Sequence, residues 1–335
     1  MKSINTNRNI GIEILRAFLS LWVVLFHCLS KKYSKHQILF FTKKKFYHVP
    51  CFMFISFYYS SNIIKDINIK SLKSRFERLL IPYIIYPSLI LIVNNFSILI
   101  FGVNRFKRFI TFYELLTQIL FGSKFIIVFW FLFSLLFFNV FLILLSYLFK
   151  SYFLYMIRIF GIISYFLKYF IDFNFFNSYP KFIRFSLRDS LSIFPLCSLG
   201  IVIASSNIIA KHKFNLVSEF ILGLFILFLF KYKLFTDTDK YYGIENICAA
   251  LFLFSFFYYL PFDDCDSKVY RFIKQITSYT NGIYCLHTIL AYYIRLIFGK
   301  KKTLSSCFIL YLTSYLISFI STKILGKSKL KYLFL

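Results

Sequence analysis

Acidic residues are few in this chain of 335: 13 Asp and Glu stand against 40 Lys and Arg, a net charge of +27. That excess raises nucleic acid as a partner. The basic residues, however, sit in many small loop clusters and gather on no single face, so they read as solvated loops near anionic membrane lipids, and no nucleic acid is expected. Cysteine supplies no framework either. The seven cysteines are an odd number, mostly inside apolar runs, without a C-x-x-C pair or metal-ligand spacing, and no metal is expected. Also missing are long polar stretches, internal repeats, and the short alternating pattern that a barrel strand shows over about ten residues. A separate soluble domain and a β-barrel are thereby excluded.

Apolar sequence is what the chain has in quantity. Hydrophobic residues make up 59% and aromatic residues 23%, and mean hydropathy is +0.70. Stretches such as FIIVFWFLFSLLFFNVFLILLSYLF, residues 125–149, are apolar on every face. A helix needs roughly 20 such residues to cross a hydrocarbon core of about 30 Å. The sequence therefore predicts an all-α polytopic integral membrane protein with about ten transmembrane helices, at 12–30, 48–64, 79–101, 125–149, 152–173, 191–209, 214–231, 243–261, 278–298 and 304–325. Residues 1–335 form one membrane-embedded domain in this reading. The first span is expected to be an uncleaved signal anchor, because Lys31 and Lys32 follow it and no small-residue cleavage pattern does. An even count puts both termini on one side of the cell membrane, and the basic run from Lys65 to Arg78 before the third span makes that side cytoplasmic. Basic loop residues otherwise divide almost evenly, so the positive-inside rule alone gives no orientation.

The first span carries three ionisable residues, Glu13, Arg16 and His27, where each costs most. Eleven helical residues return to within about 20° of the starting direction while rising about 16 Å, so Arg16 and His27 share one face. Glu13, three residues before Arg16, lies on the same stripe and can neutralise or orient the guanidinium. Ionisable groups at such depth normally face a bundle interior or a watery cavity. Snorkelling of the Glu13 and Arg16 pair to one interface, with His27 at the other, is the competing reading. Cys28 beside His27 forms no dyad, since adjacent helical residues point about 100° apart.

Several stretches together resemble one family. An arginine and a histidine separated by ten residues in the first helix resemble the signature of the acyltransferase 3 family, bacterial membrane O-acyltransferases that decorate surface polysaccharides. VPCFMFISFYYS (49–60), KSRFERLLIPYIIY (73–86), FWFLFSLL (129–136) and TSYTNGIYCLHTIL (277–290) are similar to its later motifs, in the same order. Phe57 departs from the pattern, standing where the family commonly has glycine. No hydrolase-like extracytoplasmic domain is expected beyond the tenth span, and the resemblance then implies acceptor transfer by the membrane domain alone.

That resemblance implies transfer of an acyl group, most often acetyl, from acyl-CoA as co-substrate to a hydroxyl of a surface or lipid-linked glycan, as in O-acetylation of O-antigen. Imidazole suits a base acting on an alcohol near neutral pH, which makes His27 the candidate. Arg16 would hold the donor, because guanidinium is planar and permanently charged. Arg75 and Arg78 would grip the nucleotide phosphates, though ordinary anchoring at the cytoplasmic face is the competing reading. Tyr284 and His287 lie on one helical face. Trp130 could line the same cavity, and His287 could polarise a carbonyl or position the acceptor. Ser56 could donate a hydrogen bond between helices or simply pack as a small residue. His48 lies at a span boundary with no partner evident from the sequence. A polysaccharide or small-molecule transporter remains the alternative, as does a subunit of a polymer-assembly complex. The sequence shows no paired, Gly/Pro-interrupted helices of the kind found in inverted-repeat transporters.

Overall fold

The computed structural model describes residues 9–28, 48–67, 69–102, 108–122, 124–126, 129–170, 180–206, 244–260, 268–298 and 304–326. Its helices are α1 (Ile10–Cys28), α2 (His48–Tyr58), α3 (Ser61–Lys65), α4 (Ile69–Phe101), α5 (Phe112–Phe121), α6 (Trp130–Phe149), α7 (Phe153–Phe170), α8 (Lys181–Ser206), α9 (Ile244–Tyr259), α10 (Lys268–Ser278), α11 (Thr280–Phe298) and α12 (Leu304–Gly326). No strand occurs among the described residues. The protein is all-helical, as expected. Nine of the ten expected spans fall on these helices, and 214–231 lies outside the described residues. Two helical stretches, Ile69–Phe101 and Trp130–Leu167, are long and apolar enough to cross a membrane on length and composition. In the second the chain reverses, because Lys150 takes a positive φ of 38° and the Phe141 and Phe160 rings meet at 6.0 Å.

Helix α1 stands at the junction of two apolar cores. Ile12, Leu15 and Leu19 pack with α2, α8 and α9, while Ala17, Val24 and Cys28 pack with α10, α11 and α12. Its ionisable residues are thus inside the bundle, where charge can be matched by protein. Glycine permits the closest of these contacts. A Cβ on Gly11 would lie 1.7 Å from the Phe257 carbonyl oxygen, so any side chain there would drive α1 and α9 apart. The Asn9 side chain fixes the same end, accepting from the Ile12 amide at 3.1 Å and donating to the Tyr258 carbonyl at 2.9 Å.

The departure at Phe57 has a structural answer on the facing helix. A Cβ on Gly200 of α8 would meet Phe54 O at 2.8 Å and Phe57 Cβ at 3.4 Å. Close approach of α2 and α8 is therefore kept, with the glycine supplied by α8.

One feature differs from the sequence reading of residues 125–149 as a single span. Helix α5 runs antiparallel beside α4, where Asn95 bonds Ile110 and the Tyr83 hydroxyl donates to the Ile119 carbonyl at 2.6 Å. It stops at Gly122 (φ 75°), and α6 begins at Trp130. Gln118, fully buried, bridges the interruption: its Oε1 accepts from the amides of Phe125 and Ile126, and its Nε2 donates to Ile126 O. An irregular backbone inside apolar surroundings needs such replacement bonds. Thr111 and Glu114 cap the other end of α5 reciprocally, and Arg108 pairs with Glu114.

Candidate active site

Where α1 begins, Arg16 Nη1 donates to Glu13 Oε1 at 3.1 Å. Glu13 is 3% exposed and the Arg16 side chain 22%. The acid neutralises the arginine and sets its direction, while part of the guanidinium stays reachable. Tyr59, from the turn after α2, lies close enough to interact electrostatically with both. Further along the stripe, Ser20 donates to Ala17 O at 2.7 Å and meets the Tyr315 hydroxyl at 3.3 Å. Ser20 and Val23 are both buried, so this middle segment is shut off from solvent.

Near the other end of α1 the His27 ring lies 5.1 Å from the His287 ring of α11, centroid to centroid. His287 is completely buried, and its Nδ1 is 3.0 Å from Ile283 O. A carbonyl only accepts, so Nδ1 carries the proton and a neutral His287 has its lone pair on Nε2. Tyr284 stands one turn earlier on α11, 6.0 Å from the His287 ring. Phe131 stacks against Tyr284 at 5.2 Å and touches both Trp130 and Phe52. His27, His287, Tyr284 and Trp130 thus belong to one connected group of rings.

His48 joins that group, contrary to its reading as a boundary residue without a partner. It is buried at the start of α2 and interacts electrostatically with His27. The signal available in the sequence was slight: a histidine opening the span after the one that ends at His27. Among the described residues, no three His, Cys, Asp or Glu side chains are arranged to hold a metal ion.

Arg75 and Ser56 meet in a separate node. Arg75 Nη2 donates to Ser56 Oγ at 3.0 Å and its Nε to Asn139 Oδ1 at 2.7 Å. The guanidinium carbon lies 5.9 Å from the Phe57 ring, within cation–π range. Asn139, fully buried on α6, escaped the sequence reading. Its signal was a single amide in an otherwise apolar run, which needs a polar partner. Arg78, half-buried, donates to Ser74 O on its own helix at 3.2 Å. The two arginines proposed as a pair therefore occupy different settings.

Residues 9–324 match the family model described as an acyltransferase domain. The chain belongs to the acyltransferase 3 family. No curated protein sequence and no solved structure matches it. The family match runs from the cap of α1 almost to the end of α12, so it takes in the arginine end, the histidine group and the Arg75 node alike. Family membership together with the apolar helices makes this a membrane acyltransferase.

Proposed function

We propose that the protein transfers an acyl group, most often acetyl, from acyl-CoA to a hydroxyl of a surface or lipid-linked glycan. The observation that carries this reading is the contact between His27 and His287 beside Tyr284, on the helix that also bears Arg16. His27 takes the hydroxyl proton as the acceptor oxygen attacks the thioester carbonyl. The tetrahedral intermediate then collapses, the carbon–sulfur bond breaks, and the departing CoA thiolate takes the proton back from the His27 imidazolium. Two imidazolium rings at this separation would repel, so the pair carries one positive charge at most, and neutral His287 is the group against which a charged His27 is stabilised. Arg16, braced by Glu13, binds the donor. In this reading the helices cross the cell membrane about ten times with both termini cytoplasmic. A reporter fused after residue 40 then signals outside, and one after residue 335 inside.

Transport is the second reading, favoured by the interruption between α5 and α6. Gln118 occupies that interruption, which makes it a held kink in the enzymatic reading. The deciding experiment gives purified protein labelled acyl-CoA and a glycan acceptor. Release of CoA with labelling of the acceptor supports the enzyme. Glycan uptake into proteoliposomes without acyl transfer replaces it with the transporter.

A further inference from the structure

The sequence KVYRFIKQITS, between the spans expected at 243–261 and 278–298, folds as α10 (Lys268–Ser278). At 100° per residue, Lys268, Arg271, Lys274, Gln275 and Ser278 fall within an arc of about 120°. Val269, Phe272, Ile273 and Ile276 fall within about 100° on the other side. The second half of this helix is packed into the bundle, with Ile273 against the same core as Ile276 and the Phe272 ring 6.3 Å from that of Phe319. Ile276 and Thr277 are buried, with Ile276 in the core that contains Ala17 and Tyr279. Val269 is 66% exposed and Phe272 55% exposed, next to three exposed cations.

The position of α10 can be read from its neighbours. Helix α11 carries His287 to His27 and Tyr293 to within 3.3 Å of Ser97, near the end of α4. Helix α10, which precedes it, therefore lies toward the end where α1 begins, beside Ala17. Lys268, Arg271, Phe272, Lys274, Gln275 and Ser278 line one shallow, open face of the helix. Cations, an amide and a hydroxyl on that face with an aromatic ring at its edge suit a phosphate bearing an apolar tail. A helix with a basic face and an exposed apolar face settles in the headgroup boundary.

We infer that α10 is a membrane-surface helix whose basic face binds the phosphate headgroup of an anionic phospholipid, with Val269 and Phe272 dipping into the acyl region. Charge complementarity selects this occupant, and the exposed Val269 and Phe272 favour a lipid over a soluble phosphate. Asp263, Asp264 and Asp266 precede the helix in sequence, outside the described residues. The charge argument accordingly rests on Arg271 and Lys274, one and two turns further in. Tyr279 alone separates α10 from α11, so a headgroup held here also fixes the start of the helix that carries Tyr284 and His287. The lipid site itself does not depend on the acyltransfer reading.

The test reconstitutes the full chain in nanodiscs of phosphatidylcholine with or without phosphatidylglycerol. Retained lipids are counted by native mass spectrometry, and Phe272→Trp fluorescence is quenched with brominated lipid. Wild type should retain phosphatidylglycerol over phosphatidylcholine. The paired variant Arg271→Gln with Lys274→Gln should lose that preference by roughly fivefold per charge, and Trp at 272 should be quenched. Equal retention by wild type and the paired variant, or an unquenched Trp, overturns the inference. Displacement of bound phosphatidylglycerol by millimolar inorganic phosphate or adenosine 3′,5′-bisphosphate overturns it in favour of a soluble ligand. Self-association through this face, lost on Phe272→Ser, overturns it in favour of a second copy.

Discussion

At the Arg75 node and at the histidine group the protein treats its polar side chains differently. Arg75 of α4 donates hydrogen bonds to two other helices, to Ser56 of α2 and Asn139 of α6. His27 and His287 instead meet ring to ring, with aromatic rings completing the surroundings. Permanent charge held by fixed acceptors is suited to keeping helices in register. Titratable rings held close at a tilt are suited to moving a proton. Arg16 stands between these cases, braced by one carboxylate yet partly open, as its proposed donor-binding role requires.

Removing a nitrogen from the histidine group should have the largest effect. His287→Phe keeps a ring against Tyr284 but removes both ring nitrogens, and turnover should fall by about tenfold or more. Acyl-transfer rates measured with donor saturating would show it, and unchanged turnover would reduce His287 to packing. Next comes Arg16→Lys, which should weaken acyl-CoA binding by roughly tenfold with little change in saturated turnover, because an ammonium lacks the planar fork. Titration with labelled donor measures it. Asn139→Leu should act on stability instead, costing about 1–3 kcal/mol by stranding the Arg75 Nε. Thermal unfolding in detergent, alongside turnover at saturating donor, separates the two kinds of effect. If Asn139→Leu lost turnover without losing stability, the division between node and histidine group would fail. The smallest difference is expected within α1. Ser20→Phe must displace Tyr315 and should impair transfer more than Leu21→Met at equal expression; equal tolerance would show that the Arg16 to His27 face does not need its packing.

Much of this fold can be read from apolar run length, since a helix buried or lipid-facing on all sides must be apolar on all sides. The stripe from Glu13 to His27 was equally readable, because helical periodicity alone places those residues on one face. Contacts between distant helices were not. Nothing local in FFNVF points Asn139 at Arg75, 64 residues away, or brings His48 toward His27. The glycine missing at position 57 appears as Gly200 on another helix, a compensation invisible to any single motif. Helix α10 carries no signal in apolar run length, because its 11 residues place a cation at every third position from Lys268 to Lys274. The interruption after α5 was hidden for the opposite reason: Phe125 and Ile126 are apolar, so they extend the run although their backbone is not helical.

The central claim is that His27 is the base, and His27→Ala tests it most directly. Donor binding and transfer to the native glycan should be measured together on equally expressed wild type and variant. The account predicts acyl-CoA binding close to wild type and transfer lowered by about 10²-fold or more. Transfer at the wild-type rate would contradict it, leaving the histidine pair as a packing contact and acyl transfer to be sought elsewhere in the bundle.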